Sequence, residues 1–255
     1  MRFSKWHALG NSYLVVERPE AGEVTAERAQ RLCDVRTGIG ADGLVEVIAT
    51  EGARADVVIW NPDGSKAEMS GNGTRIAARW LGEREGVADV EIVVGDRTVR
   101  ARLLDDVSVE TDVGVVDVGE LETIDVHGNA VELTTVNVGN PHAVVHCEEP
   151  AREILLRLGP LVETHPRFPG RTNVQLAHPQ DRHRVAALVW ERGAGETSAS
   201  GSSAVAVAAA AIARDWCDSP VTVRMPGGDL SVRLEDGRGL LTGPAVVICR
   251  GETSL

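Results

Sequence analysis

The sequence carries one strand–loop–helix pattern twice, and this internal repeat constrains the fold more than any other feature. In the first copy an apolar segment ends at Asn61, and a glycine-rich loop leads to Ser70 at the start of a predicted helix. In the second copy the same arrangement runs from Glu191 to Ser200. Each serine follows its polar partner by nine positions and precedes a glycine, and 130 positions separate the two serines. Self-similarity at a fixed spacing predicts two related halves, each presenting one serine at a helix start.

The two helix starts are predicted anion sites. A helix N-terminus carries unpaired N–H groups and a partial positive charge, which favour a bound carboxylate or phosphate. The groups placed there are Gly71 and Asn72 in the first copy and Gly201 and Ser202 in the second. Serine is also a common helix cap, so one such loop alone favours an ordinary connection. The matched pair favours two anion sites.

Hydrophobic patterning predicts a chain richer in strands than in helices. The predicted strands are Leu14–Glu17, Ala55–Trp60, Val90–Val94, Val107–Thr111, Val131–Val138, Ala143–His146, Arg184–Trp190, Val221–Met225, Leu230–Leu234 and Ala245–Cys249. The predicted helices are Thr25–Cys33, Thr74–Arg84, Arg152–Leu158 and Ser202–Trp216. The segment Gly38–Gly43 has GxGxxG spacing but precedes an apolar strand, so it does not predict a dinucleotide site.

Composition excludes several classes of function. The 255 residues carry a net charge of −12, which argues against a nucleic-acid partner. The longest apolar run, Ala204–Ala213, is too short to span a bilayer. The N-terminal segment lacks the apolar core of a signal peptide. We therefore expect a cytoplasmic protein without a membrane partner.

The cysteines and histidines do not predict a metal site or a hydrolase. The four cysteines have no zinc-ligand spacing, and we expect reduced, largely buried thiols: Cys33, Cys147, Cys217 and Cys249. Ser200 does not lie in a GxSxG elbow. His142, in the turn-like segment Gly139–His142, is the one histidine with a setting suited to a triad, and nothing else supports that interpretation.

At this point several motifs together resemble the diaminopimelate epimerase family. They occur in order over nearly the whole chain: Phe3–Asn11, Gly38–Leu44, Asn61–Gly73, Gly139–His142, Phe168–Val174, Glu191–Gly201, Met225–Leu230 and Leu241–Ala245. The resemblance implies an α/β fold of the α+β type, with two pseudo-symmetric domains that each wrap a mostly antiparallel sheet around a central helix. It places the domains at residues 1–114 and 115–255, with the last ~10 residues free to return to the first.

The resemblance also implies the reaction. Family members interconvert LL- and meso-diaminopimelate, a step of lysine biosynthesis, without pyridoxal phosphate, another cofactor or a metal. The substrate lies in a cleft between the domains, where one thiolate removes the α-proton and a thiol on the opposite face returns one. The expected partner is thus a small-molecule amino-acid substrate. A homodimer is the default oligomer.

Residue roles follow from the same resemblance. Ser70 and Ser200 occupy the positions of the two thiols. His142 and Glu191 are expected to orient the acid–base groups. The remaining predicted substrate contacts are the helix starts named above together with polar side chains around them: Asn11, Asn61, Asn140, Asn173 and Arg192. Of these, Asn61, Asn173 and Arg192 suit the distal amino-acid group, and Arg192 suits a carboxylate in particular.

Serine at both thiol positions departs from the family's chemistry. A cysteine ionises near pH ~8.5, whereas a hydroxyl lies nearer the ~15.7 of water. The gap of about 7 pKa units corresponds to roughly 10 kcal/mol, far above the ~2 kcal/mol that a helix terminus supplies. One account is an epimerase whose two cysteines were replaced deliberately, which gives an inert form that can still hold substrate. The other is a diverged lyase, an isomerase with Glu68 or Glu191 as base, or a non-catalytic amino-acid-binding protein.

Overall fold

The computed structural model describes residues 1–67 and 70–255. Glu68, one of the two bases that the sequence suggests, therefore lies outside the described residues. The strands are β1 (Arg2–Ala8), β2 (Asn11–Glu17), β3 (Gly43–Glu51), β4 (Arg54–Trp60), β5 (Lys66–Ala67), β6 (Asp89–Val94), β7 (Arg97–Leu103), β8 (Ser108–Val115), β9 (Asp117–Val126), β10 (Asn129–Asn137), β11 (Pro141–His146), β12 (Asn173–Asp181), β13 (Arg184–Glu191), β14 (Gly195–Thr197), β15 (Val221–Met225), β16 (Gly228–Glu235), β17 (Arg238–Pro244) and β18 (Val246–Glu252). The helices are α1 (Arg18–Ala21), α2 (Ala26–Cys33), α3 (Gly71–Glu85), α4 (Arg152–Glu163) and α5 (Gly201–Ala213).

Internal contacts divide the chain into two compact units. Unit 1 contains residues 1–111 and 242–255, and unit 2 contains residues 112–241. In unit 1, β1 pairs antiparallel with both β18 and β2. The β2–β3 and β4–β6 pairs are parallel, whereas β3–β4, β6–β7 and β7–β8 are antiparallel. Unit 1 thus takes its sheet from both ends of the sequence.

Unit 2 repeats this order of pairings nine strands later in the chain. β10 pairs antiparallel with both β9 and β11. The β11–β12 and β13–β15 pairs are parallel, and β12–β13 and β15–β16 are antiparallel. The two units therefore share one topology, as the internal repeat predicts, and the α+β fold class is confirmed.

Each sheet surrounds one helix. In unit 1, α3 contacts β1, β2, β3, β4, β6 and β7, and it buries Ile76, Ala77 and Leu81 within them. In unit 2, α5 contacts β9 through β13 together with β15 and β16. Its residues 203–211 are all buried. A helix that is apolar all round must be covered on every side, and its alanines and valines let the strands approach closely.

Most differences from the sequence-based prediction concern half-exposed strands. β7 alternates buried apolar residues with exposed arginines, and β9 exposes most of its polar residues, so neither has an obvious apolar run. The sequence also missed β1, β3, β12, β17 and the short α1, and it ended α4 five residues early, before Pro160. The expected burial of all four cysteines is wrong for Cys249, which is exposed on the outward face of β18, while Cys147 is only half-buried.

No helix in the described part of the chain is both long and apolar enough to cross a bilayer. Within residues 1–67 and 70–255, no group of three or more His, Cys, Asp or Glu side chains is arranged to hold a metal ion.

A buried carboxylate ties three segments of unit 1 together. Glu46 on β3 is fully buried and accepts hydrogen bonds from Arg18 Nε at 2.8 Å, Val24 N at 3.0 Å and Trp60 Nε1 at 3.0 Å. Burial raises its pKa, but these three donors more than offset that effect, and the net pKa is lowered. The ionised form of Glu46 therefore stabilises the fold.

Replacing Glu46 with glutamine is expected to lower the free energy of unfolding of the protein by about 3–5 kcal/mol, because it leaves buried donors without their acceptor. Since the folded pKa is depressed, this contribution is present above the ordinary glutamate pKa and is lost as the pH falls. Urea unfolding at neutral and acidic pH measures both effects. Glu20→Gln, which breaks the exposed pair with Arg2, is the control and should change stability little. Equal losses in the two variants would contradict the prediction.

Candidate active site

Ser70 is the N-cap of α3, as the repeated loop predicts. Its Oγ accepts a hydrogen bond from the Gly73 N–H at 3.1 Å and lies 2.9 Å from the hydroxyl oxygen of Tyr13. The helix begins at Gly71, three residues before the predicted start. The serine hydroxyl is thus held between the helix terminus and a phenol.

Tyr13 reaches Ser70 because Gly43 leaves room for its ring. Tyr13 lies on β2, is 6% exposed, and pairs in register with Gly43 on β3. A Cβ at position 43 would lie 2.3 Å from Tyr13 Cε1, which no side chain can occupy. Gly43, the last glycine of the Gly38–Gly43 motif, therefore makes room for the Tyr13 ring and is not part of a phosphate-binding loop.

A chain of hydrogen bonds links two predicted substrate contacts in unit 1. Asn72 Nδ2 donates to Asn11 Oδ1 at 3.1 Å, and the Asn72 Oδ1 accepts from the guanidinium of Arg75. Arg75 is fully buried, and burial lowers its pKa to about 10 while attraction to Tyr13 acts in the opposite direction. Arg75 thereby fixes which amide atoms of Asn72 and Asn11 remain available to a ligand.

Ser200 has the equivalent place in unit 2 but a different partner. It is the N-cap of α5 and is 8% exposed, yet its side chain makes no capping hydrogen bond. Its hydroxyl instead lies near the carboxylate of Glu191 at the end of β13. Burial raises the pKa of Glu191, and the nearby Ser200 hydroxyl only partly opposes this. A carboxyl with a raised pKa keeps its proton more readily than a free one, which suits a group that takes part in proton transfer.

His142 does not project from a turn. It lies on β11 and is 1% exposed, which corrects the turn-like setting inferred from the sequence. Its Nδ1 accepts from Gln175 Nε2 and its Nε2 donates to Asn140 Oδ1, both at 3.0 Å, and Gln175 also donates to Ser203 Oγ at 3.0 Å. Burial lowers the pKa of His142 to about 3. The imidazole is therefore neutral and braces β11 and β12 beside the start of α5.

The predicted distal groups differ in availability. Asn173 Nδ2 donates to Pro141 O at 2.9 Å, and its Oδ1 accepts from the Arg192 N–H at 3.0 Å, so this amide mainly holds backbone. Asn61 Nδ2 donates to Ser65 Oγ at 2.9 Å. The guanidinium of Arg192 is exposed and donates to Gly170 O at 3.3 Å. Arg192 is thus the most exposed of the three groups.

Glu163 supports the loop that carries Glu191 and Arg192. Its carboxylate accepts from Trp190 Nε1 at 2.7 Å and from the Gly193 N–H at 2.9 Å, on either side of these two residues. No sequence pattern singled out Glu163.

Sequence reasoning also missed Tyr13, Arg75 and Gln175, although one signal was available. The dipeptide Gly-Asn before Tyr13 recurs before His142, at Gly139-Asn140. This second repeat would have matched Tyr13 with His142. Within unit 1 the structure joins Asn11 with Asn72, and within unit 2 it joins Ser200 with Glu191 and Asn173 with Arg192. That the two serines serve one substrate stays a prediction.

Solved racemases and epimerases have the same fold as this chain. The structure of a predicted epimerase from Pseudomonas aeruginosa matches it with a TM-score of 0.74 at 17% identity, covering 100% of this chain and 99% of the other. A probable proline racemase from Agrobacterium radiobacter matches with a TM-score of 0.70 at 18% identity, covering 100% and 93%. These likenesses show the fold. The class of protein, an isomerase of the racemase and epimerase type, is shown by the sequence comparisons that follow.

Sequence comparison narrows this class to one family. The diaminopimelate epimerase family model matches residues 3–120 and 134–248. The diaminopimelate epimerase of Pseudomonas syringae pv. syringae is 36% identical over 275 residues, which cover 100% of this chain and 99% of that protein. The chain belongs to the diaminopimelate epimerase family, as its motifs predict.

Proposed function

We propose that the chain binds diaminopimelate in a site arranged for proton transfer at the α-carbon. The observation that carries the proposal is the matched pair of serines, each at a helix N-cap and each beside a second proton-bearing group. The N–H groups of the helix starts suit the α-carboxylate and the negative charge that develops when the α-proton leaves. No cofactor is needed for this chemistry.

The two serines alone cannot sustain the family's two-base mechanism at a useful rate. The pKa of a serine hydroxyl is about 7 units above that of a thiol, so the hydroxyl is far less often ionised. We propose that epimerisation through serine alkoxides is negligible, so that this form holds diaminopimelate and turns it over slowly or not at all.

A second candidate is an isomerase or lyase that uses Glu191 as its single base. The raised pKa of Glu191 and its place near Ser200 favour it. Such an enzyme would exchange the α-proton on one face and then protonate or eliminate elsewhere.

Incubating the protein with LL- and meso-diaminopimelate in D₂O separates these functions. Deuterium uptake with inversion supports an epimerase, and uptake without inversion supports the single-base isomerase or lyase. Binding without uptake supports a slow or inert form. If neither isomer binds and neither takes up deuterium, the proposal is refuted.

Replacing Arg192 with methionine is expected to weaken diaminopimelate binding by about 10- to 100-fold, since it removes a charge-assisted hydrogen bond to the distal carboxylate. Lysine differs from diaminopimelate by lacking that carboxylate, so its binding should not change. Calorimetric titration with both ligands measures the difference. Arg157→Met, on an exposed arginine of α4, is the control. A loss of lysine binding equal to that of diaminopimelate would rule out this role.

A further inference from the structure

We propose that Tyr13 is the proton-accepting group of unit 1 and that it acts through the hydroxyl of Ser70. The proposal rests on the proposed function, because it names the group that takes the α-proton where the family has a thiolate. It follows from the hydrogen-bonding capacity of Ser70, the charge of Arg75 and the chemistry of a phenol.

Among the described residues, the hydrogen bonds of Ser70 leave one lone pair of its oxygen available for the α-proton. A serine hydroxyl has one proton and two lone pairs. The Gly73 N–H occupies one lone pair. When Tyr13 is ionised, the Ser70 proton points to the phenolate oxygen 2.9 Å away. The second lone pair of Ser70 then faces whatever is bound at the helix start.

Buried positive charge favours the phenolate. Arg75 is fully buried on α3, and its Nε and Nη1 have no hydrogen-bond partner within residues 1–67 and 70–255. Burial lowers the pKa of Arg75 to about 10, and attraction to Tyr13 works against that shift. Because such an attraction is mutual, Arg75 stabilises the ionised form of Tyr13. The positive end of α3 acts in the same direction.

The two residues that pair in register with Tyr13 on the neighbouring strands carry no ionisable side chain. They are Trp6 on β1 and Gly43 on β3. The carboxylate of Asp42 is held by the N–H and hydroxyl of Ser12. Glu68 lies outside the described residues and is therefore given its own variant in the test below.

The proton transfer balances without a further reactant. The Cα–H bond breaks as its proton bonds to Ser70 Oγ, while the original Ser70 proton passes to the phenolate oxygen of Tyr13. The electron pair stays on the α-carbon and spreads into the α-carboxylate, which the helix N–H groups stabilise. Return of the proton reverses each step.

A phenol also repairs most of the pKa mismatch that serine creates. Free tyrosine ionises near pH ~10 and free cysteine near ~8.5, so their gap of about 1.5 units is on the order of 30-fold in the ionised fraction. The gap between a serine hydroxyl and a thiol is about 7 units. With Tyr13 behind it, Ser70 becomes a usable acceptor.

The experiment exploits the fact that Tyr13 is the only tyrosine of the chain. Biosynthetic replacement of tyrosine by difluorotyrosine labels this site alone and lowers its phenol pKa. Fluorine NMR then gives the ionisation of position 13 directly, in the wild type and in Arg75→Met. Deuterium uptake by diaminopimelate is measured as a function of pH for four proteins: the wild type, the fluorinated protein, Tyr13→Phe and Glu68→Gln.

Five results support the proposal. Uptake rises with pH along a limb that difluorotyrosine moves to lower pH. Tyr13→Phe lowers uptake by about 100-fold or more, the range for loss of a general base, and Glu68→Gln retains the limb. In the NMR titration, position 13 ionises at lower pH than free difluorotyrosine, and Arg75→Met moves that midpoint to higher pH.

The opposing results separate this proposal from the proposed function. Uptake that is indifferent to both Tyr13 changes overturns the role of Tyr13 and leaves the function standing. Binding of diaminopimelate without uptake overturns it as well, since the acceptor would be in place and idle. If diaminopimelate does not bind, the proposed function fails, and the role of Tyr13 is then judged from the NMR titration alone. A titration midpoint equal to that of free difluorotyrosine overturns the tyrosine–serine pair. A midpoint at lower pH that depends on Arg75 supports the pair.

Discussion

Replacing Ser70 and Ser200 together with cysteine is expected to raise diaminopimelate epimerisation by on the order of 10³-fold, if about half of the 7-unit pKa difference is expressed in the transition state. Each new thiol would lie at a helix N-terminus, where thiol pKa values fall. The substitution changes only one atom at each site. Chiral analysis of the product from each diaminopimelate isomer measures the rate.

Either single replacement should give much less than the double. Inversion removes a proton from one face and delivers one to the other, so a lone thiolate has no matched acid opposite it. A single variant is expected to exchange deuterium with little inversion. Ser198→Cys, which adds an exposed thiol to the loop before α5, controls for non-specific thiol chemistry. A doubly substituted protein that folds, binds diaminopimelate and exchanges no α-proton would show that the serines are not the missing element.

Replacing Glu191 with glutamine is expected to lower deuterium uptake in the wild-type protein by about 100-fold or more, the range for loss of a general base. The carboxylate lies near the Ser200 hydroxyl and is the ionisable group beside the start of α5. Because burial raises the pKa of Glu191, the ionised and active form should build up only as the pH rises through this raised pKa. The loss of deuterium uptake in Glu191→Gln should therefore be largest at pH values above the raised pKa of Glu191.

The free energy of unfolding of Glu191→Gln should not fall with deuterium uptake. A carboxyl whose folded pKa is raised stabilises the protein below its unfolded pKa and loses that contribution as the pH rises. Glu191→Gln should accordingly keep or increase the free energy of unfolding at neutral pH while uptake falls. Glu196→Gln, on the neighbouring strand β14 and paired with exposed Arg152, is the matched control. Uptake lost equally in both variants would point to a disturbed loop rather than to proton transfer.

The sequence was informative wherever a local pattern determines the structure. A loop of fixed length between a strand and a helix, ending in Ser-Gly, places Ser70 and Ser200 at helix starts in both units. The glutamate at the end of the second apolar segment, Glu191, contacts Ser200 because the same loop returns the chain to the strand end. These features depend on neighbours within about ten residues of each other.

Features that depend on distant strands were not predictable. Tyr13 and Ser70 meet only because β2 and β3 pair in the register that sets Tyr13 opposite a glycine. His142 resembled a turn residue because Gly139-Asn140-Pro141 precedes it, yet β10 and β12 flank it and bury it. Arg75 reads from the sequence as a solvated helix residue, and only the closure of a sheet around α3 makes it a buried cation.

The pairing of β1 with β18 fixes an order of events during synthesis. β18 is translated after every residue of unit 2, whereas unit 2 is one continuous segment. Unit 2 can therefore complete its sheet while β1 still lacks a neighbour along one edge. An unpaired edge is prone to capture by other chains. We thus expect the first-made half of this protein to be the last to become resistant to aggregation, which reverses the usual progress of folding from the N-terminus.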